Sequence, residues 1–160
     1  MAQIVSAERV KKYGEVFTDQ REVDAMLDML PPETFEPAVT FLEPCCGEGI
    51  FVLEILRRKF AQCKTKANFR DALRSVYAMD IQADNVEKTI LAVTELCESA
   101  FRLNQKDRDT IRGHIIQADS LKIMAMMKEL NAAEAEAALE DASWLTVDPS
   151  LSGNFRKPKA

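Results

Sequence analysis

Four acidic residues stand just beyond short apolar runs in this chain. Glu43 follows Val39 to Leu42, Asp80 follows Ser75 to Met79, Asp119 follows His114 to Ala118, and Asp148 follows Ser143 to Val147. Carboxylates in such places accept hydrogen bonds from an amine, from sugar hydroxyls or from the exocyclic amine of a base. They repel a pyrophosphate. The first of them opens the run Glu43-Pro44-Cys45-Cys46-Gly47-Glu48-Gly49, and an apolar helical pattern begins at Ile50. Two glycines one residue apart allow a tight turn and let a ligand approach bare backbone. Strand, tight loop and helix N-terminus together form the place where α/β proteins hold a nucleoside-like cofactor. Acids after strands also cap the helices that follow them, a role open to Asp119 before Leu121.

The elements that must position these groups are legible as alternating periodicities. Lys11 to Thr18 reads as an extended or irregular lead-in with Tyr13, Val16 and Phe17 as apolar anchors. Thr18 or Asp19 caps a first helix, in which Val23, Met26, Leu27 and Leu30 form one face, and Pro31-Pro32 stops it. A strand is expected at Val39 to Leu42 and a helix from about Gly49 to Phe60. Polar residues then lead into a short helix before the strand that ends at Asp80. Asp84 or Asn85 begins a helix running to about Leu103, and Asn104 to Gly113 reads as a charged link. His114 to Gln117 is the third strand, a helix with Leu121, Met124, Met127 and Leu130 on one face follows, and 131–142 reads as a solvated helical face. Trp144 to Val147 is expected as a fourth strand. Repeated strand–helix alternation implies a doubly wound, mainly parallel sheet, with ligands beyond the carboxyl ends of the strands.

Bulk properties narrow the classes. A length of 160 residues suggests one domain, residues 1–160, with 47% hydrophobic and 29% charged residues. No apolar run approaches the roughly 20 residues of a membrane helix, and the polar N-terminus lacks a signal-peptide core. Cys45, Cys46, Cys63 and Cys97 form no Cys-x-x-Cys pair and His114 is the single histidine, so no metal site is expected. A reduced, cytoplasmic setting fits that cysteine usage. Net charge is −5, so any grip on nucleic acid must come mostly from elsewhere.

The loop departs from the dinucleotide fingerprint, because Val52 stands where its third glycine would be. A nicotinamide or flavin oxidoreductase is therefore disfavoured. A neutral or cationic nucleoside suits the acidic edge, and S-adenosyl-L-methionine is the commonest such cofactor. Taken with Lys12-Tyr13-Gly14-Glu15-Val16-Phe17-Thr18, the stretch Phe41 to Phe51 resembles the amino-methyltransferases that modify adenine in DNA, among them the modification subunits of restriction systems. The resemblance covers about residues 12 to 121 and rests on the Gly-Glu-Val-Phe-Thr lead-in, the Glu-Pro strand end, the Gly-x-Gly loop and the acids after the next two strands.

That family implies a Rossmann-like methyltransferase fold and roles for matching positions. Phe17 and Thr18 would contact the methionine part of S-adenosyl-L-methionine, and Glu43 its amino group. Gly47 and Gly49 would supply backbone clearance, and Pro44 and Cys45 of the same loop would be cofactor-binding positions. Asp80 would accept from the ribose hydroxyls, Ile81 would lie against the adenine ring, and Asp119 would accept from the adenine amine. A core-anchor role for Phe17 and a helix-packing role for Ile81 stand beside these. The family's catalytic Asn/Asp-Pro-Pro-Tyr/Phe is matched by Asp148 and Pro149 only, because Ser150 and Leu151 replace the second proline and the aromatic. The family's sheet is seven-stranded, so the resemblance implies a methyltransferase domain shortened after about four strands, without a target-recognition domain. Its substrate class is DNA. The alternative is a non-catalytic interaction or regulatory protein on a remnant methyltransferase fold, docking a protein partner at the sheet edge left open by Trp144 to Val147.

Overall fold

The computed structural model of the chain describes residues 6–129 apart from residues 14 and 17. Phe17, the helical face expected at 131–142, the strand expected at 144–147 and Asp148-Pro149 lie outside the described residues.

The chain opens with α1 (Ala7–Tyr13), where the sequence suggested an irregular lead-in from Lys11. A helix this short is marginal by itself. It is held from outside: the Arg9 guanidinium donates to Asp84 at 2.7 Å and to Glu15 at 2.6 Å. Then α2 (Gln20–Leu27) begins at Asp19, which forms a capping box with Glu22. Val23 and Leu27 of its apolar face are buried, while Met26 and Leu30 are exposed. A short 3-10 turn, Pro32–Phe35, leads to β1 (Phe41–Glu43). The buried Lys59 ammonium pins this connection by donating to the carbonyls of Glu36 at 2.8 Å and Val39 at 2.6 Å.

Beyond β1 come α3 (Ile50–Gln62), α4 (Lys66–Arg74), β2 (Val76–Asp80) and α5 (Ala83–Ala100). Then α6 (Gln105–His114), β3 (Ile115–Gln117) and α7 (Ser120–Glu129) complete the described part. The expected charged link at Asn104 to Gly113 is therefore a helix. Its sequence hides this because only Asp107 and Ile111 are buried. Asn104 and Asp107 form a capping box, and Arg70 of α4 grips the Asp107 carboxylate through three short contacts of 2.9 to 3.2 Å. An ion pair to another helix thus replaces the apolar stripe that periodicity looks for.

The three strands form a parallel sheet in the order β1-β2-β3. Register pairs Glu43 with Ala78 and Asp80 with Gln117. One sheet face carries Phe41, Val76, Ala78 and Ile115 into the main core, where α3 brings Val52, Ile55 and Leu56, and α5 brings Val86, Ile90, Val93 and Cys97. Alternation along a strand sends Leu42, Tyr77, Met79 and Ile116 to the other face. There Met79 and Ile116 pack with Ala118 and with Ile123 of α7. Helices thus lie against both faces of a small parallel sheet, an arrangement compatible with a Rossmann-like fold. Among the described residues no helix is long and apolar enough to cross a membrane.

Candidate functional site

Parallel strands deliver their carboxyl ends to one edge, and the short loops after β1, β2 and β3 meet there. Cys46 donates its N–H to the Met79 carbonyl at 2.9 Å, so the loop after β1 leans onto β2. Ala118 donates to the Asp80 carbonyl at 3.0 Å, which brings the loop after β3 onto β2 as well. The thiol of Cys45 lies 3.4 Å from Ser120 Oγ, closing the gap between the first and third loops. Glu43, Pro44, Cys45, Gly47, Gly49, Asp80, Ile81 and Asp119 are therefore gathered at one end of the sheet.

Glu43 is half-buried and its Oε1 accepts the Cys45 N–H at 3.0 Å. Burial raises its carboxyl above the ordinary glutamate value; the Cys45 hydrogen bond opposes this, and the nearby Asp80 charge adds to it. Asp80 is buried and heavily engaged. Its Oδ2 accepts the Gly47 N–H at 2.9 Å, and its Oδ1 accepts the Gln82 N–H at 2.8 Å and Asn85 Nδ2 at 3.2 Å. The acid after β2 thus fastens the glycine loop to the start of α5.

The two glycines serve different ends. Both have positive φ, 53° at Gly47 and 88° at Gly49. Gly49 is buried, and a Cβ there would stand 2.7 Å from the Thr89 methyl carbon, so its clearance accommodates α5. Thr89 Oγ1 in turn donates to the Gly47 carbonyl at 3.1 Å. Cys46 is buried beside Thr89, and its thiol is pushed up to about 12 by burial first and by Asp80 second, so it is not a nucleophile at neutral pH.

Asp119 takes the helix-capping place: Oδ1 accepts the Lys122 N–H at 3.1 Å, and Lys122 Nζ lies 3.6 Å from Oδ2. Ile81 is half-buried, and its carbonyl accepts from Gln117 Nε2 at 3.1 Å. Thr18 is half-buried directly before the Asp19 cap of α2. The lead-in containing it reaches the site through Glu15, whose Oε1 accepts from Asn85 Nδ2 at 2.8 Å.

Asn85, Thr89, Glu15 and Arg9 are the residues to which the sequence assigned no part in the site, Asn85 being read as a helix start and Glu15 as part of the lead-in. Asn85 and Thr89 carried a usable signal, since they fall four apart on the buried stripe of α5 that also holds Val93. A polar side chain on an apolar stripe needs a buried partner. For Arg9 and Glu15 no local signal exists, because their shared partner lies 76 and 70 residues away.

Chemically, the site offers carboxylate and carbonyl acceptors around a clamped glycine loop. That is equipment for holding a hydrogen-bond donor or a cation. Among the described residues no group of three or more His, Cys, Asp and Glu side chains could hold a metal ion.

No protein-family model and no solved structure matches the chain. A 92-residue stretch is 32% identical to the Type II methyltransferase M.VspI of Vibrio sp. (strain 343). That stretch covers 57% of this chain and 19% of the relative, so the match spans about a fifth of that methyltransferase's length.

Proposed function

We propose that this chain carries the cofactor-binding portion of an S-adenosyl-L-methionine-dependent DNA adenine-specific methyltransferase. The observation that carries the reading is the convergence of Glu43, Asp80 and Asp119 at the ends of three adjacent parallel strands, around a loop whose Gly47 N–H is tied to Asp80. The similarity to a Type II methyltransferase supports it.

Glu43 fits the ammonium end of the cofactor. It is a half-buried carboxylate whose pKa burial has raised, and a bound cation removes the cost of keeping it ionised. Asp80 retains a free acceptor direction for a ribose hydroxyl, with Ile81 beside it for the adenine ring and Asp119 for the adenine amine. Pro44, Cys45 and Gly47 line the loop, Gly49 lets α5 close behind it, and Phe17 and Thr18 contact the methionine part. Bound S-adenosyl-L-methionine supplies an electrophilic methyl group. Asp148 and Pro149 would orient the target amine as its acceptors, and the Ser150-Leu151 that follows offers no ring to stack on a flipped base. Binding without turnover is the expected behaviour of the chain alone.

Calorimetric titration with S-adenosyl-L-methionine and S-adenosylhomocysteine is expected to give micromolar dissociation constants. Absence of heat at millimolar ligand with folded protein would sink the reading. A second reading, a non-catalytic docking protein, is favoured by the exposure of Leu42 at 58% and Leu121 at 77%. It requires partner capture to survive a bulky substitution at Gly47, a change the first reading expects to abolish cofactor binding.

A further inference from the structure

Asn85 is where the N-terminal segment meets the candidate site. It lies in the first turn of α5 and is 1% exposed. Its Nδ2 donates to Glu15 Oε1 at 2.8 Å and to Asp80 Oδ1 at 3.2 Å, while its Oδ1 accepts from Arg9 Nη2 at 3.3 Å. The orientation of this amide follows from its neighbours. Turned over, it would set an oxygen against two carboxylates and an NH2 group against a guanidinium.

Both oxygens of Asp80 are thereby assigned. Oδ1 accepts from Asn85 and from the Gln82 N–H, and Oδ2 accepts from the Gly47 N–H. A carboxylate has about four acceptor directions, so one is left, on the oxygen shared with the glycine loop. The same Glu15 oxygen accepts from Arg9 Nη2 at 2.6 Å, and Arg9 also grips Asp84. One buried amide therefore connects α1, the lead-in before Thr18 and the acid after β2.

We propose that Asn85 is a positioning residue with two separable duties: it aims the Asp80 carboxylate at a ligand hydroxyl, and it latches the N-terminal segment beside the site through Glu15. The inference rests on the cofactor reading above and deepens it. Aiming depends on donation to Asp80, whereas the share of Asn85 in the latch is its hydrogen bond to residue 15, beside the grip of Arg9 on Glu15 and Asp84. Reversing the polarity of that second bond separates them.

The test uses the full chain with Asn85→Asp, Glu15→Gln and the double substitution. Affinity for S-adenosylhomocysteine is read by calorimetry, and latching by tryptic cleavage at Lys11 and Lys12. Asn85→Asp places a third carboxylate between Glu15 and Asp80. It is expected to lower affinity at least tenfold, about the loss of one hydrogen bond to a charged group, and to speed cleavage. In the double variant the new amide at 15 donates to the new carboxylate at 85, so protease protection returns while affinity stays low. Affinity of Asn85→Asp within twofold of the parent overturns the proposal. Recovery of affinity together with protection overturns the aiming duty and leaves Asn85 as a latch only. Should Asn85→Asp melt below the working temperature, Asn85→Ser is read for affinity instead, with the same loss expected and retention overturning the proposal. A parent chain that gives no heat refutes the cofactor reading itself, and so is distinguishable from variants that bind as the parent does.

Discussion

The Glu43 carboxyl sets stability against binding. Burial raises its pKa above the ordinary 4.5. A carboxyl raised in the folded state holds its proton where the unfolded chain has released it, so this group favours folding at low pH. That contribution is lost as pH rises from 4.5 through the raised value. At pH 7 the ionised form therefore opposes folding, and Glu43→Gln is expected to preserve or raise the melting temperature of the free protein. The same substitution removes the partner proposed for the cofactor ammonium and is expected to lower affinity for S-adenosylhomocysteine at least tenfold. Melting curves and calorimetry at pH 7 check the two halves, and unchanged affinity would count against the amine-binding role. Only the type and place of Glu43 were legible in the sequence, because its burial comes from packing. Gly49 illustrates the same limit. Its need for positive φ was readable from the Gly-x-Gly pattern, but Thr89, whose methyl would sit 2.7 Å from an added Cβ, lies forty residues further on.

At the level of elements, apolar spacing located α2, α3 and α5, and β-like runs located β1 to β3 within one or two residues. It failed at α6, whose stability rests on a capping box and on the Arg70–Asp107 pair. Burial alone would push the Asp107 carboxyl up; the Arg70 and Asn104 hydrogen bonds outweigh it and hold the group below the ordinary 3.8. A carboxyl depressed in the folded state stabilises above its unfolded pKa, and the contribution fades as pH falls through the lower folded value. Asp107→Asn is accordingly expected to lower the melting temperature at pH 7 by at least about 5 °C, since it discharges one half of a largely buried pair. The gap from the parent protein narrows below about pH 3.8. Thermal melts at pH 7 and pH 3 decide it; equal gaps at both would mean that the pair is not the source of the stability.

The whole molecule is acidic, with 26 Asp and Glu against 21 Lys and Arg. Affinity for duplex DNA depends on neutralising phosphates, so the chain alone is expected to bind more weakly than about 100 μM at physiological salt. Fluorescence anisotropy with labelled duplex measures this, and saturation in the low micromolar range would reveal a basic face that net charge conceals. By itself the sequence determined the run of strands and helices, the acids at the strand ends and the glycine loop between them. Each of these is written in residue type and spacing over a few positions, where periodicity, turn chemistry and capping act. Tertiary structure alone decided the partners. It ties Gly47 to Asp80 across 33 residues and Glu15 to Asn85 across 70, and it sets Arg70 against Asp107 across 37, which supports a helix where Asn104 to Gly113 read as a link. Such pairings depend on which surfaces the packed core brings together, and no local pattern carries that information.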